Sequence, residues 1–258
     1  MSANESMPVL FMGHGSPMNA IEDNEFSRTW EELGITLPRP RAVLCISAHW
    51  ETRGTGVTAM AKPKTIHDFY GFPRELNEKR YPAPGSSELV ELVRQNVRSV
   101  GVIEDHNWGL DHGAWSVLCR MYADASIPVV QLSLNRELTL EAHYQLGQEL
   151  APLRNAGILI VGSGNMVHNL GLATWVDAGF DWAIEYDAKL KEWIAAGEHE
   201  PVVQYEKHGE GAVLSVNSEE HYLPLLYALG AGGKSAPVTF YNEKVIMGSI
   251  SMRCVKIG

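Results

Sequence analysis

The apolar residues of the chain fall into short runs separated by longer amphipathic stretches. The runs are PVLFM, AVLCISA, GVTAM, IPVVQLSL, GILIVGSG and, late in the chain, VTFY and VIMGSISM. Several of them are apolar throughout, which is typical of strands in a sheet that is covered on both faces. Because the last two runs follow one another closely, we expect the sheet to be mixed rather than wholly parallel.

The stretches between these runs have the period of amphipathic helices. In SSELVELVRQNVRSV, with Ser86 or Ser87 as the N-cap, this period places four apolar residues on one face. They are Leu89, Leu92, Val93 and Val97. GAWSVLCRMY, LTLEAHYQLGQELAPLR and FDWAIEYDAKLKEWIAAG continue the alternation, and Gly197 stands where the last should end. The pattern predicts an α/β fold, a single domain over residues 1–258 with a central mixed, mainly parallel sheet flanked by helices.

The stretch from Met60 to Pro84 follows neither pattern and is predicted to be a long loop, a feature that is often functional in compact α/β domains. Tyr70 and Phe72 could form the wall of an aromatic pocket or simply pack within the loop. Three basic residues here could receive a substrate carboxylate, although a solvated face is the simpler explanation: Arg74, Lys79 and Arg80.

The charge balance argues against two classes of partner. The 258 residues include 31 acidic and 21 basic side chains, a formal net charge of −10, and such a surface repels phosphate backbones and anionic lipid. The three cysteines, Cys45, Cys119 and Cys254, are far apart and are interpreted as buried thiols of a reducing compartment. Because the sequence shows no leader and no apolar span, we expect a soluble cytoplasmic protein, a monomer or small homo-oligomer, that acts on a small molecule.

Three of the ten histidines follow predicted strands. His14 in GHGSP comes after PVLFM, His49 in SAHW comes after AVLCIS, and His168 in GSGNMVHN comes after GILIV. Ligands of open α/β sheets collect outside the carboxyl ends of the strands, so these imidazoles could meet in one crevice. Each alone could be a hydrogen-bonded loop side chain, but their equivalent positions favour a shared site.

A fourth candidate, His221, lies in NSEEHYLPLLYALG. Ser218 resembles an N-cap, Pro224 falls in the first turn and Gly230 ends the pattern, which places His221 at a helix N-terminus. The helix dipole disfavours imidazolium there, and a metal ion requires neutral imidazole. A solvated helix start is an equally good interpretation.

His112 in GLDHGAW precedes another predicted helix and is flanked by Asp111. This carboxylate could orient the imidazole for proton transfer, or it could cap the helix. Surface positions are expected for the remaining histidines: His67, His106, His143, His199 and His208. Other catalytic motifs fail, because GSG at 162–164 has Val167 where a dinucleotide loop requires a third glycine, and the sequence has neither HExxH nor GxSxG.

Taken together, GHGSP, SAHW, LDHGAW and GSGNMVHN resemble the motifs of the LigB-type (class III) extradiol dioxygenases. DFYGFP, YPAPG, IPVVQLSL and EHYLPLLYALGA are similar to segments of the 4,5-DOPA extradiol dioxygenase subfamily. Each motif alone is weak, but the likeness runs from about Val9 to Met252 and the set is specific.

The resemblance implies a metal-dependent enzyme that opens a catechol ring with O2. It implies His14 and His49 as metal ligands, and His221 as the third in place of the glutamate of the wider family. His168 would be the active-site base or a fourth ligand, and His112 would contact substrate or oxygen. The implied cofactor is one divalent ion per chain, Fe(II) for activity with Zn(II) as an inactive substitute. The implied substrate is L-DOPA, cleaved to 4,5-seco-DOPA as a precursor of betalamic acid, or a related catechol.

Two other functions use the same histidines. A zinc hydrolase would use its ion to lower the pKa of bound water, with His168 as the base. A non-catalytic protein that binds a metal or small ligand could share the fold, since fold does not determine function.

Overall fold

A computed structural model describes residues 6–258, in which strands and helices alternate. The strands in this range are β1 (Val9–Gly13), β2 (Ala42–Thr52), β3 (Thr55–Thr58), β4 (Val102–Asp105), β5 (Val129–Asn135), β6 (Ile158–Gly164), β7 (Val238–Tyr241), β8 (Val245–Ile246), β9 (Ile250–Ser251) and β10 (Cys254–Ile257). The α-helices are α1 (Glu25–Thr36), α2 (Arg74–Glu78), α3 (Ser87–Asn96), α4 (His112–Met121), α5 (Leu140–Leu150), α6 (Asp181–Ala196), α7 (His199–Val203), α8 (Glu210–Ser215) and α9 (Leu223–Gly232). None of the helices in residues 6–258 has the length and apolar character needed to cross a membrane.

Eight of the strands form one sheet in the order β4-β3-β5-β2-β6-β1-β10-β7. The four central strands, from β5 to β1, run parallel to one another. At one edge β10 and β7 are antiparallel, and near the other β3 is antiparallel to β5. The short strands β8 and β9 pair separately. This arrangement confirms the predicted α/β class with a mixed, mainly parallel sheet flanked by helices.

The central strands are mostly apolar and buried because alternate side chains enter two different cores. In β1, Val9 and Phe11 pack in one core with side chains of α3, α5, α6 and α9. Leu10 and Met12 pack on the opposite face with side chains of α1 and α4. The cysteines are free and buried in this second core, as predicted: Cys45, Cys119 and Cys254.

The helix ends agree with the capping predictions for α3 and α6 but not for α9. Ser86 caps α3, and Gly197 ends α6 with φ +71°. The boundaries expected for α9 are wrong, because the helix begins at Leu223 and continues past Gly230. The residues before it form a turn in which the Leu223 N–H donates to the Glu219 carbonyl oxygen at 2.9 Å. The segment expected to begin the helix is therefore a turn.

The glycines of β6 allow this turn to lie directly on the strand. A Cβ at Gly164 would stand 2.1 Å from the His221 carbonyl oxygen, and one at Gly162 would stand 2.3 Å from that of Pro224. The Asn165 N–H donates to the same His221 oxygen at 2.8 Å. The GSG segment is therefore part of a strand, and its missing side chains determine how closely His221 approaches the sheet.

His143 and His199 are buried, so the expected surface positions are wrong for both. His143 belongs to α5, and its Nδ1 lies 3.0 Å from the hydroxyl of Tyr227 in α9. The Tyr144 hydroxyl lies 2.9 Å from Nδ1 of His199. Burial lowers the pKa of His143 to about 4. Each buried imidazole has a tyrosine hydroxyl from a distant part of the chain as its hydrogen-bond partner. The residues that flank each histidine in the sequence do not reveal this partner.

Replacing Gly164 with alanine should destabilise the protein, because the added methyl group overlaps a backbone oxygen rather than a flexible side chain. We expect a loss of about 1–3 kcal/mol in the free energy of unfolding, measured by urea denaturation. G101A is the control, since a Cβ at Gly101 meets no atom within 4 Å. Equal stability of the two variants would contradict the close approach of the His221 turn to β6.

The neutral state of buried His143 should make stability depend on pH. As the pH falls from 6.5 toward 4, the unfolded chain binds a proton that the folded chain excludes, so the free energy of unfolding decreases by up to about 3 kcal/mol. H143Q removes this titration and should give a shallower decrease over that range in urea unfolding. Parallel decreases in the variant and the wild type would show that His143 does not contribute.

Candidate metal centre and active site

Five histidines meet in one crevice at the carboxyl edge of the central strands. His14 follows β1, His49 lies in β2 and His168 follows β6, while His112 begins α4 and His221 lies in the turn before α9. All five line a cavity of about 540 Å³. The structure therefore brings together all five histidines that the sequence suggested for the site.

The His14 side chain is held in one tautomer by Ser163. The Ser163 hydroxyl donates its proton to the Gly113 carbonyl oxygen at 2.6 Å. It can therefore only accept from His14 Nδ1, which lies 3.0 Å away. The proton of His14 is thereby placed on Nδ1, and Nε2 carries a lone pair.

An irregularity in β2 directs His49 into the crevice. The pairing of β2 with β5 shifts from Ile46 opposite Leu132 to Glu51 opposite Leu134, so β2 contains extra residues between these points. Such a bulge re-aims the side chains within it. The sequence pattern suggested that the strand ends before His49. In the structure the strand continues past His49 to Thr52.

The free nitrogens of His14 and His49 face one another. His49 Nδ1 lies 3.6 Å from the Asp68 carboxylate, which favours a proton on that nitrogen. The two Nε2 atoms are 3.2 Å apart. Two unprotonated nitrogens repel at this distance, whereas a cation bound to both at about 2.1 Å would hold them about 3.0–3.4 Å apart. The donor pair fits a metal ion.

His221 completes a nearly equilateral triangle of imidazoles. The ring centroids are 5.1 Å apart for His14 and His49, 5.3 Å for His14 and His221, and 5.0 Å for His49 and His221. Glu220 Oε1 lies 3.0 Å from His221 Nδ1 and also accepts a hydrogen bond from the Ser218 hydroxyl at 2.9 Å. A carboxylate on one ring nitrogen is the usual arrangement behind a metal-binding histidine, because it leaves the other nitrogen free.

His112 takes its carboxylate partner from the long loop rather than from its neighbour in sequence. Asp68 Oδ1 accepts from the His112 backbone N–H at 2.9 Å, and Oδ2 lies 3.0 Å from His112 Nδ1, off the line of a linear hydrogen bond. Asp111 instead caps α4 by accepting from the Ala114 N–H, and it accepts from the Ser47 hydroxyl at 2.6 Å. Sequence reasoning missed Asp68, whose only signal was its place in a long loop.

His168 lies flat against His221, with ring centroids 3.5 Å apart and planes 9° apart. Its backbone N–H donates to the Ser215 carbonyl oxygen at 2.9 Å. Because the two ring planes are nearly parallel and do not coincide, an ion in the plane of one ring lies outside the plane of the other. Two groups of three residues each offer possible metal-ligand atoms that all lie within 4.8 Å of one another. One group is His14, His49 and His112, and the other is His168, Glu220 and His221.

Burial keeps four imidazoles of the crevice neutral at neutral pH: those of His14, His49, His168 and His221. Removal from water lowers the pKa of His14 and His221 well below 6.5, and repulsion from the neighbouring rings adds to this effect. Burial is also the main cause that lowers the pKa of His49 to about 3 and that of His168 to about 4. The neutral imidazole is the form that binds a metal ion.

The remaining walls of the cavity are mostly apolar, which suits a flat aromatic ligand. They include Phe69, Phe72, Leu170, Trp175, Ile246, Met247 and Ile250. Phe72 therefore lines the cavity, whereas Tyr70 is 94% exposed and does not. The basic residues considered for a substrate carboxylate also lie outside the lining: Arg74, Lys79 and Arg80.

Comparison with known proteins gives concordant matches over most of the chain. A family profile described as the catalytic LigB subunit of aromatic ring-opening dioxygenase matches residues 8–252. A protein of Escherichia coli (strain K12) named 4,5-DOPA dioxygenase extradiol is 49% identical over 258 residues, covering 98% of this chain and 95% of the relative. A protein of the same name from Beta vulgaris is 41% identical over 236 residues, covering 88% of each chain.

The fold is similar to that of a solved relative as well. The crystal structure of an uncharacterized protein from Escherichia coli K12 superposes with a TM-score of 0.85 at 44% sequence identity, covering 98% of this chain and 100% of the other. Dioxygenases of the matched family depend on a metal ion, and the histidine cluster offers a place for one. The chain belongs to the LigB family of aromatic ring-opening dioxygenases and is an extradiol dioxygenase, which uses O2 to open an aromatic ring.

Proposed function

We propose that the chain is an Fe(II)-dependent dioxygenase that cleaves L-DOPA or a closely related catechol at the 4,5 bond. The product of L-DOPA would be 4,5-seco-DOPA, the precursor of betalamic acid. One observation carries the proposal: the rings of His14, His49 and His221 form a triangle while other groups face their Nδ1 atoms, so that the Nε2 atoms are left for an ion. The names of the E. coli and beet relatives support the choice of substrate.

The ring spacing supports these three histidines as the ligands. An ion about 2.1 Å from three imidazole nitrogens places the ring centroids about 4.5–5.3 Å apart. The three separations in the triangle, from 5.0 to 5.3 Å, fall within this range. By contrast, His49 and His112 are 3.8 Å apart and His168 and His221 are 3.5 Å apart, too close for either pair to share one ion. The spacing therefore argues against His168 as a fourth ligand.

The two remaining histidines are suited to handling protons. Neutral His168 has a lone pair that can accept a catechol proton as the substrate binds. His112 has its Nδ1 beside Asp68, so Nε2 is the nitrogen available to hydrogen-bond oxygen atoms of the reactants. The apolar walls hold the ring beside both imidazoles and exclude water, which favours a positioned reaction.

His14, His49 and His221 would hold iron(II), which would supply the redox chemistry with O2. Zinc has no redox chemistry, yet it binds nitrogen sites more tightly than Fe(II) does. A sample purified without added iron should therefore hold zinc and be inactive.

Removing the bound metal and adding Fe(II) without air should restore O2 consumption with catechols. The measurement is O2 uptake together with the metal content of the protein, and zinc reloading is the control. Turnover by the zinc form that does not depend on O2 would support a hydrolase instead. An iron form that consumes no O2 with any catechol would exclude the proposed reaction.

Alanine substitutions should separate the ligands from the base. H168A should keep its metal and lose about 100-fold to 10,000-fold in kcat, because a general base is removed while the ligand triangle remains. H221A should lose metal, measured as the metal-to-protein ratio after gel filtration. H106A, which removes a surface imidazole, is the control. The reverse pattern, with metal lost from H168A and retained by H221A, would refute these assignments.

A further inference from the structure

The charged groups in the cavity lining are all acidic. Among the described residues that line it, Glu22 and Asp68 carry carboxylates, and neither lysine nor arginine occurs. Asp68 is occupied within the site, because its carboxylate lies beside His112 and His49. Glu22 is exposed at the cavity mouth. The cavity therefore offers an incoming molecule one available negative charge.

Nearby cations do not neutralise this carboxylate. Arg120 is close to Glu22, but its Nη2 binds the Glu22 backbone carbonyl oxygen at 2.6 Å and its Nη1 pairs with Glu31 at 2.9 Å. The adjacent Asp23 forms an ion pair with Arg28. Within residues 6–258 the Glu22 side chain itself has neither an ion pair nor a hydrogen bond to a basic group.

We propose that Glu22 selects substrates by binding an ammonium group on the side chain of the catechol. This inference rests on the proposed function, and it names the substrate class: catechols whose side chain carries a protonated amine, as opposed to those that carry only a carboxylate. When the substituent on the catechol ring carries both an amine and a carboxylate, as in L-DOPA, the amine binds Glu22. The carboxylate has no basic partner in the cavity lining and stays in solvent.

The backbone fixes Glu22 relative to the candidate metal centre. His14 is followed by a short 3-10 helix, Pro17–Ala20, and the Glu22 N–H donates to the Met18 carbonyl oxygen at 2.9 Å. The Asn19 side chain donates to the His14 carbonyl oxygen at 3.1 Å. The segment from His14 to Glu22 therefore carries both a candidate metal ligand, His14, and the acid at the cavity mouth, Glu22.

Two further features favour a cationic side chain. Trp175 lines the same cavity and is 95% exposed, so its ring face is available for a cation–π contact. The chain has a formal net charge of −10, which attracts cations and repels anions at long range. An anionic substituent meets unfavourable charge during its approach and again at the cavity mouth.

The test compares catechols that share a ring and differ in side-chain charge: dopamine, L-DOPA, 3,4-dihydroxyphenylpropionate and 4-ethylcatechol. We expect the Fe(II)-loaded wild type to have a higher kcat/KM for dopamine than for the propionate. In E22Q the ratio of the two should fall about three- to fivefold, as for a partly exposed ion pair. E22K should reverse the preference, and E32Q, which removes an exposed acid from α1 outside the cavity lining, should keep the wild-type ratio.

A binding measurement separates this inference from the proposed function. Calorimetry with dopamine and the propionate on the zinc-loaded protein reports charge selection without turnover. If the iron form consumes no O2 but dopamine binds E22Q more weakly than it binds the wild type, the proposed reaction fails and the ammonium site stands. If catechols are cleaved but neither E22Q nor E22K changes the ratio, the ammonium site is wrong and the reaction stands.

Discussion

The site depends on one electrostatic constraint, which is that the unprotonated ring nitrogens of two neighbouring imidazoles face one another. Ser163, Asp68 and Glu220 each face the Nδ1 atom of one ring, so the Nε2 atoms of His14 and His49 are left 3.2 Å apart. Inside a cavity with apolar walls this repulsion is screened poorly. A divalent ion bound to both nitrogens would remove this repulsion, so metal binding would then also stabilise the folded state.

Three consecutive residues of strand β6, Gly162, Ser163 and Gly164, position two of the candidate metal ligands. The Ser163 hydroxyl determines which nitrogen of His14 carries the proton. The glycines on either side of it allow the His221 turn to lie against the same strand. Two candidate ligands that are far apart in the chain are thus positioned by three consecutive small residues. A larger side chain at any of these positions would alter the spacing of the triangle.

The sequence was informative where structure follows from local pattern and uninformative where it follows from distant partners. The buried central strands and the cap at Ser86 are local features, and both were predicted correctly. Strand β4 was missed because an exposed edge strand, here VIED, has no continuous apolar run. The contact of Asp68 with His112 and the burial of His143 join segments far apart in the chain. No spacing rule connects such residues until the fold brings them together.

The loop that carries Asp68 is held on one side of that residue and open on the other. The Trp115 indole N–H donates to the Ile66 carbonyl oxygen at 2.7 Å, which fastens the chain just before Asp68. Beyond it, Tyr70 is almost fully exposed, and a Cβ at Gly71 would meet no atom within 4 Å. Phe69 of the aromatic wall lies between these two parts. Because Phe69 directly follows Asp68, one short backbone segment positions both the aromatic wall and the carboxylate that lies beside His112 and His49.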